Sequence, residues 1–536
     1  MSTLELARST ATAWPVDGGF ADAATATAGT ARSAQAMRTQ AQAPTAPTAR
    51  LAYRLAALGA PFSTEVAATP LPLAERLIDN TALAAELALP LADWSHVDTT
   101  AVLAGNQPWP GYAARASVYA GHQFGHYTRQ LGDGRALLIA ELDTPAGAAE
   151  LQLKGAGPTP YARGSDGRAV LRSAIREYLA SEAMHALGVP STRALSLVGS
   201  PLRVQRERDE TAAVLCRVAP SFIRFGHFEF HARSGQPQAL AVLAEHVIAS
   251  HFADLTELPD EHERHATWLT EVVERQAELI AMWQTLGFCH GVMNTDNASI
   301  LGLTIDYGPF GFMERFRSHH VCNHSDHEGR YAYAAQPAIG LWNCARLLDA
   351  CVGLLGPTPE AAAERARAIL PAYERAYNAA VMRRWCAKLG LRDVRPGDAG
   401  LINRLLTLMQ QGRLDFTQTF RALGEADLAP LRRRLAEPAA FDAWCADWQM
   451  RRVAEGENTA DDAADRRERM QRVNPRFVLR NHLAQTAIEA AESGDTSELH
   501  GLLRVLQRPF DGDAAGDRYA DPAPAHLPEL EVSCSS

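Results

Sequence analysis

The pattern of hydrophobic and polar positions divides the chain into a strand-rich part and a longer helical part. Apolar segments bounded by glycine turns predict paired strands at Ala136–Leu142 and Ala149–Leu153, and further strands at Ala194–Val198 and Val214–Val218. Between these pairs, the segment Asp166–Leu187 has helical spacing, with apolar residues on more than one side. We therefore expect this helix to be sandwiched between other elements.

A second helix is predicted at Glu261–Leu286 from its apolar stripe, and Gly287 is its expected end. It is followed by a polar loop, His290–Asn297, and then by an apolar segment, Ser299–Ile305, that predicts a short strand. Helical patterns such as Ala361–Arg384 dominate the remaining chain. The order of elements predicts an α+β protein with two lobes, and a ligand cleft is expected between such lobes.

This order of elements gives a domain prediction. We expect a disordered N-terminal extension (1–50), a β-rich nucleotide-binding lobe (51–235), a helical lobe with the catalytic loops (236–355), an all-helical extension (356–508) and a flexible tail (509–536) that contains Cys534.

Composition and charge exclude several classes of protein. Hydrophobic residues make up 47% of the 536 residues and charged residues 21%, as in ordinary globular proteins. The net charge of −10 argues against a general nucleic-acid binder. No apolar stretch reaches the length of about 18 residues that a membrane span needs, and the N-terminus does not resemble a signal peptide. The eight cysteines form no C-x-x-C pair, so we expect thiols in a reducing, cytoplasmic compartment.

A lysine and a glutamate in the strand-rich part form the first candidate pair. Lys154 ends an otherwise apolar strand, and Glu177 lies within the sandwiched helix on the face that also carries Val170 and Met184. A partly buried glutamate needs a cation. A strand lysine held by a helix glutamate is the arrangement by which kinase folds direct an ammonium group to ATP phosphates.

Glycines and arginines of the same part are weaker candidates for phosphate binding. Gly132 and Gly134 lie in a glycine-rich turn whose backbone N–H groups could approach phosphate, although such glycines can also serve only the turn. Arg217 and Arg224 suit phosphate recognition because guanidinium groups stay charged and offer several donors. Surface salt bridges are an equally good interpretation of these two arginines.

The polar loop that begins at His290 carries the strongest chemical signal. Asn297 and Asp306 bracket the predicted strand and supply hard oxygen ligands of the kind that Mg²⁺ prefers. The spacing resembles the kinase catalytic loop and metal-binding motif, but Val292 occupies the place of the kinase catalytic aspartate. Valine cannot accept a proton, whereas Asp296 could act as a base from another position.

Several long motifs resemble those of the SelO family (also called YdiU) and occur in the same order. The members of this family are protein adenylyltransferases with a pseudokinase fold. The similarity covers about residues 51–510 and the extreme C-terminus, and it is carried by His122–Gly125, Leu153–Gly167, Val218–Phe228, His290–Asp306 and Cys322–Tyr331. The resemblance implies a bilobal protein-kinase-like fold with an all-helical C-terminal region, Mg²⁺ or Mn²⁺ as cofactor, and transfer of AMP from ATP to Ser, Thr or Tyr hydroxyls of proteins.

The resemblance also implies roles for individual residues. Asp296 would be the proton acceptor, Asn297 and Asp306 the metal ligands, and Glu177 the partner of Lys154. The ATP contacts would be made by Gly132, Gly134, Arg135, Lys154, Asp166, Gly167, Arg217, Arg224 and Asp306.

Cysteine pairing is a further implication of the resemblance. Some family members join a cysteine near the C-terminus to one that follows the metal-binding motif, which here are Cys534 and Cys322. Such a disulfide would restrain the active-site loop. Two unrelated free thiols are the alternative, and a zinc site built from Cys322 and the histidines within His319–His327 is a weaker one.

Other functions remain open at this point. Some relatives use UTP with Mn²⁺, so UMP transfer is an alternative, as are a conventional kinase that transfers the γ-phosphate and a nucleotide-binding scaffold. The scaffold is disfavoured because it would need no metal ligands. The protein substrates, their hydroxyls and the oligomeric state do not follow from the sequence.

Overall fold

The computed structural model describes residues 49–89, 98–512, 514–524, 530 and 532–533. The N-terminal extension expected over 1–50 therefore lies outside the described residues except for its last two, and Cys534 lies outside them as well.

Strands are concentrated in the first half of the chain, as the hydrophobic pattern predicts. The described strands are β1 (Arg50–Ala52), β2 (Ser63–Glu65), β3 (Glu75–Asp79), β4 (Arg115–Ser117), β5 (Gly121–Gln123), β6 (His126–Thr128), β7 (Ala136–Thr144), β8 (Gly147–Lys154), β9 (Ala169–Val170), β10 (Arg193–Gln205), β11 (Asp209–Ala219), β12 (Phe288–Cys289) and β13 (Gly311–Phe312).

Helices occupy most of the second half. The described α-helices are α1 (Arg54–Leu58), α2 (Thr81–Glu86), α3 (Thr99–Leu103), α4 (Leu171–Ala186), α5 (Phe225–Arg233), α6 (Pro237–His251), α7 (Glu261–Leu286), α8 (Gln336–Cys351), α9 (Pro359–Ile369), α10 (Pro371–Lys388), α11 (Asp398–Gln411), α12 (Phe416–Leu423), α13 (Ala429–Arg432), α14 (Pro438–Val453), α15 (Ala460–Val473), α16 (Asn481–Glu492) and α17 (Ser497–Leu506).

One large antiparallel sheet organises the first half. Its main strand order is β2-β4-β7-β8-β11-β10-β3, with β1 added to β7 and β9 to β11. In the central pair, Gln152 lies opposite Arg217 and Lys154 lies opposite Leu215. Because side chains alternate between the two faces of a strand, Gln152 and Lys154 share a face. The sheet together with the helices confirms the α+β prediction.

Helix α4 packs against β10 and β11, and most of its residues are buried. The predicted sandwiched helix is therefore present, but it begins at Leu171 instead of Asp166. The reason is that Ala169 and Val170 pair with β11 as strand β9. The predicted helix Ala361–Arg384 is also two helices, since Pro371 has no backbone N–H to continue the first.

The loop after α7 differs most from the prediction. Helix α7 has the predicted bounds, and Gly287 ends it with a left-handed backbone. The strand predicted at Ser299–Ile305 is wrong, because only isolated bridges form there, from Ser299 to Arg224 and from Thr304 to Ser191. Gly302, with φ of +71°, interrupts the extended backbone between those two bridges.

The helical extension has its own apolar interior, in which Trp385, Trp444 and Trp448 are almost fully buried. The tail from 509, for which the sequence predicts flexibility, includes a 3₁₀ helix at Ala514–Tyr519, and the Tyr519 ring is 4% exposed. Within the described ranges, no helix has the length and apolar character needed to cross a bilayer.

Candidate active site

The predicted pair of Lys154 and Glu177 is the centre of a buried charge cluster. Lys154 Nζ donates to Glu177 Oε2 over 2.6 Å, and Arg217 donates to the other carboxylate oxygen over 3.0 Å. Strand alternation brings Gln152 to the same face, where its carbonyl oxygen accepts a hydrogen bond from Arg217. Burial lowers the pKa of Lys154, and Glu177 opposes that effect.

Asp306 connects this cluster to the loops of the helical part. Its carboxylate is bound by Arg217 through Oδ1 and by Arg224 through Oδ2, and Lys154 Nζ lies 3.5 Å from Oδ1. The three cations hold the pKa of Asp306 well below its usual value, against the effect of burial. Its backbone φ of +56° is in the left-handed region, which few non-glycine residues adopt. Such a conformation is typical of functional sites.

Asp296 has the opposite electrostatic environment. Burial raises the pKa of its carboxyl group to about 7, although a hydrogen bond from Gln123 and the charge of Arg224 act in the other direction. Gln123 Nε2 donates to Oδ2 over 3.0 Å, whereas the buried Oδ1 has no hydrogen-bond partner. Arg224 donates to the backbone oxygen of Asp296 over 2.8 Å, so the same arginine holds Asp296 and Asp306.

Asn297 lies directly after Asp296 in a single 3₁₀ turn, Thr295–Asn297. Its side-chain amide nitrogen donates to the backbone oxygen of Val292 over 3.1 Å, which fixes the side chain and leaves its carbonyl oxygen available. Amide and carboxylate oxygens are the hard donors that suit Mg²⁺, whose remaining ligands are commonly substrate phosphates and water, so the chemistry of Asn297 and Asp306 fits the predicted metal ligands.

The glycine-rich turn and the segment after β8 lie beside each other. A side chain on Gly132 would collide with Tyr161, and Gly134 also packs against the backbone of that tyrosine. Gly167 has φ of +67° and packs on Gly157 so closely that no side chain fits. These glycines therefore have packing reasons of their own.

Arg135 and Asp166 are placed differently from each other. The charges of Glu177 and Asp306 act on Arg135, which is close to the cluster, and burial lowers its pKa. The Asp166 carboxylate accepts hydrogen bonds from both terminal nitrogens of Arg206, each 2.8 Å long. The structure thus places Arg135 with the other cations and ties Asp166 to an arginine that the sequence did not single out.

Three contributing residues were missed in the sequence. Gln123 holds Asp296, Gln152 holds Arg217, and the Tyr119 ring lies 5.0 Å from the Arg224 guanidinium. A signal existed for Gln152, since a polar residue between Leu151 and Leu153 is unusual in an apolar strand. The contacts of Gln123 and Tyr119 join distant parts of the chain, and no local pattern reports them.

Cys322 lies at the edge of the site. Its thiol contacts the backbone oxygens of Pro309 at 3.0 Å and Cys289 at 3.5 Å. The neighbouring His324 donates its backbone N–H to Val532 over 2.8 Å, so part of the tail reaches this segment. Among the described residues, no group of three or more His, Cys, Asp or Glu side chains is placed so that it could hold a metal ion.

Comparison with known proteins identifies the family. The family model described as "Protein adenylyltransferase SelO" matches residues 47–507. The chain belongs to the SelO family. A relative from Methylococcus capsulatus named "Protein nucleotidyltransferase YdiU" is 59% identical, over 89% of this chain and 95% of the relative. Proteins of the same name from Thioalkalivibrio sulfidiphilus and Myxococcus xanthus are 50% identical (87% and 94% covered) and 49% identical (90% and 97% covered).

Membership in the SelO family makes the chain a nucleotidyltransferase. The predicted family and the predicted enzyme class are therefore confirmed. The roles of the individual site residues remain predictions, and the geometry above is the physical basis on which they are proposed.

Proposed function

We propose that this protein transfers AMP from ATP to Ser, Thr or Tyr hydroxyls of other proteins and releases pyrophosphate. The observation that carries the proposal is the contrast between two neighbouring carboxylates held by one arginine. Asp296 has a pKa raised to about 7 and an oxygen without a partner, whereas the pKa of Asp306 is strongly lowered by cations. Such a separation of pKa values supports the role of a base for Asp296 and of a charged ligand for Asp306.

The cations of the cluster account for nucleotide binding in this proposal. Lys154, Arg217 and Arg224, together with Arg135 nearby, supply ammonium and guanidinium groups on the side of the cluster that also holds Glu177 and Asp306. Such groups bind phosphate oxygens through charge-assisted hydrogen bonds, which suits a triphosphate. On binding, the phosphates become partners of the arginines that Asp306 otherwise neutralises, while Glu177 continues to hold Lys154.

Asn297 and Asp306 are the residues that would hold Mg²⁺, or Mn²⁺, in the loaded enzyme. When bound, the cation neutralises charge that develops on the phosphates during transfer. Gly132, Gly134, Asp166 and Gly167 lie in the adjoining turns and complete the proposed nucleotide site. In this role Gly132 and Gly134 bring backbone close to phosphate, beyond their packing on Tyr161.

Asp296 is the proposed proton acceptor. The oxygen of the substrate hydroxyl forms a bond to the α-phosphorus, the bond from that phosphorus to the β-phosphate oxygen breaks, and the hydroxyl proton moves to the carboxylate of Asp296. A base with a pKa near the working pH is efficient in this step. The place of the kinase base is occupied by Val292, which disfavours ordinary transfer of the γ-phosphate.

The domain arrangement follows the same proposal. The sheet-rich part (51–235) and the helical part (236–355) would be the two lobes of a kinase-like fold, followed by the helical extension (356–508) and the tail (509–536). Lys154, Glu177 and Arg217 come from the first part, and Asp296 and Asp306 from the second. We place the protein in the cytoplasm, where its cysteines would stay reduced.

Redox control is a further element of the proposal. Exchange with a small-molecule disulfide, which is itself reduced to two thiols, would join Cys322 to Cys534, close the tail over the segment after Asp306 and slow transfer. The supporting observation is the contact of His324 with Val532, which brings the described tail next to Cys322. Intact mass before and after reduction, with activity measured in parallel, tests it; activity that is independent of reductant would refute it.

Labelled nucleotides test the main proposal. With α-³²P-ATP and Mg²⁺, label should appear on the protein itself or on an added protein acceptor, with a mass increase of one AMP. Label from γ-³²P-ATP and none from α-³²P-ATP would refute AMP transfer and favour a kinase. Parallel reactions with α-³²P-UTP and Mn²⁺ decide between AMP and UMP transfer.

A further inference from the structure

A row of side chains in ring contact begins on the hairpin formed by β5 and β6 and continues onto helix α8. The His122 ring lies between Tyr127, at a centroid distance of 5.1 Å, and Trp342, at 5.2 Å. An arginine covers each end of this row. The Arg233 guanidinium lies 4.4 Å from the Tyr127 ring centroid, and that of Arg330 lies 4.8 Å from the Trp342 ring centroid. We call these five residues the arginine–aromatic row.

The two arginines of the row have no carboxylate partner in the described part of the chain. Arg233 is exposed and Arg330 is partly exposed, and the ion pairs found between described residues involve neither of them. Nearby carboxylates are already engaged. Glu229 is bound by His122 and Thr295, and Asp326 accepts the backbone N–H groups of Arg330 and Tyr331. In a chain with a net charge of −10, the two arginines are local positive charges without an ion-pair partner among the described residues.

The row begins at the catalytic loop. Gln123 of the same hairpin donates to Asp296, and the backbone of Gly125, two residues further on, packs against the Arg330 guanidinium. A Cβ atom at Gly125 would lie 3.2 Å from Arg330 Cζ, so the glycine allows this close contact. The next residue, Tyr331, donates from its hydroxyl to Asn294 over 2.6 Å. Arg330 is therefore coupled by two contacts to the segment that carries Asp296.

We propose that the arginine–aromatic row is the docking surface for protein substrates, and that it selects segments with Asp or Glu side chains close to the acceptor hydroxyl. The proposal rests on the proposed function, in which Asp296 receives the hydroxyl proton. Guanidinium groups suit carboxylates because they stay charged and offer several N–H donors. The partly exposed rings of Tyr127 and Trp342 offer apolar contact area for the substrate, and the buried His122 ring supports them from below.

Direct peptide binding tests this surface independently of catalysis. The probes are two fluorescein-labelled peptides with a central Ser, one flanked by Asp residues and the other by Asn at the same positions. With the full chain at physiological salt, the Asp peptide should bind about tenfold more tightly, and the difference should shrink as salt increases. The double variant Arg233→Gln/Arg330→Gln should remove this preference. The matched control, Arg504→Gln/Arg508→Gln, changes exposed arginines of the helical extension and should retain it.

The outcomes separate this proposal from the proposed function. Equal binding of the two peptides by the unchanged protein, or an equal loss of preference in the control variant, overturns the docking surface. Arg233→Gln alone repeats the test if the double variant has a lower thermal midpoint, because the Arg233 side chain is exposed and makes no hydrogen bond to the described residues. Failure of α-³²P-ATP labelling would instead refute the transfer reaction, whichever peptide is bound.

Discussion

The side-chain amide of Gln123 lies 3.0 Å from Oδ2 of Asp296 and leaves Oδ1 as the oxygen without a partner. Its backbone neighbours also contact the catalytic loop. His122 N donates to Thr295 Oγ1 over 2.7 Å and Phe124 N donates to Asn294 Oδ1 over 3.2 Å. Three consecutive residues of the hairpin thus fix the orientation of the proposed base.

Replacing Gln123 with methionine should lower kcat about tenfold and leave the KM for ATP unchanged, since a hydrogen bond to a charged group contributes about 1.5–3 kcal/mol. Methionine keeps the length of the side chain but removes the donor. Gln130→Met, at an exposed position just after β6 of the same hairpin, is the control. Steady-state AMP incorporation measures both variants, and an unchanged kcat in Gln123→Met would contradict the assignment.

Substitution of Asp296 and substitution of Asp306 should affect the transfer reaction and ATP binding in different ways. Asp296→Asn should reduce kcat by about 10²–10⁴-fold, the usual contribution of a general base, while ATP still binds. Asp306→Asn should abolish transfer and also the stabilisation of the protein by Mg²⁺ with ATP. Calorimetric titration of ATP with each variant, beside the labelling assay, separates the two effects. Loss of ATP binding in Asp296→Asn would sink its role as the base.

Arg176 should be important for the shape of the site without contacting the proposed nucleotide residues. Its guanidinium donates to the backbone oxygen of Phe310 over 2.9 Å and to Asn481 Oδ1 over 3.1 Å, and thereby joins α4, the segment after Asp306 and α16. Arg176→Met should lower the free energy of unfolding by about 1–3 kcal/mol, because the buried carbonyl loses its donor. Chemical denaturation measures this. The control Arg504→Met changes an exposed arginine of α17 and should cost less.

The buried side chain of Lys388 should make the free energy of unfolding depend on pH. Its side chain is buried against the rings of Phe416 and Phe420, and burial lowers its pKa to about 7. At pH values between about 7 and the usual pKa of lysine, Lys388 is protonated in the unfolded chain and neutral in the folded protein. The unfolded chain therefore binds one more proton, and the free energy of unfolding rises by about 1.4 kcal/mol per pH unit. Below pH 7, Lys388 is protonated in both states, so its buried charge lowers the free energy of unfolding by an amount that no longer changes with pH.

The variant Lys388→Met should therefore be more stable than the natural protein at pH 7 and should lose this rise between pH 7 and 9. Urea denaturation at a series of pH values measures both effects. The same slope in the variant and in the natural protein would show that another group is responsible.

Sequence patterns predicted the parts of the site that depend on one element at a time. Strand alternation and helical spacing were sufficient to direct Lys154 and Glu177 toward each other, because both side chains follow from the local period of their element. Gln123 and Asp296 are 173 residues apart, and the contact between them depends on how the hairpin packs on the loop. The prediction of a strand at Ser299–Ile305 is wrong for a related reason. The backbone there forms hydrogen bonds to separate parts of the fold instead of to one partner strand.

The arginines that neutralise Asp306 determine how the nucleotide and the metal ion bind relative to each other. As long as Arg217 and Arg224 occupy both oxygens of this carboxylate, a free divalent cation has to compete with two buried guanidinium groups. A nucleotide that arrives with its cation already bound offers the arginines its phosphates and releases the carboxylate in the same step. The enzyme should therefore respond to the concentration of the metal–nucleotide complex and be nearly indifferent to free metal in the absence of nucleotide.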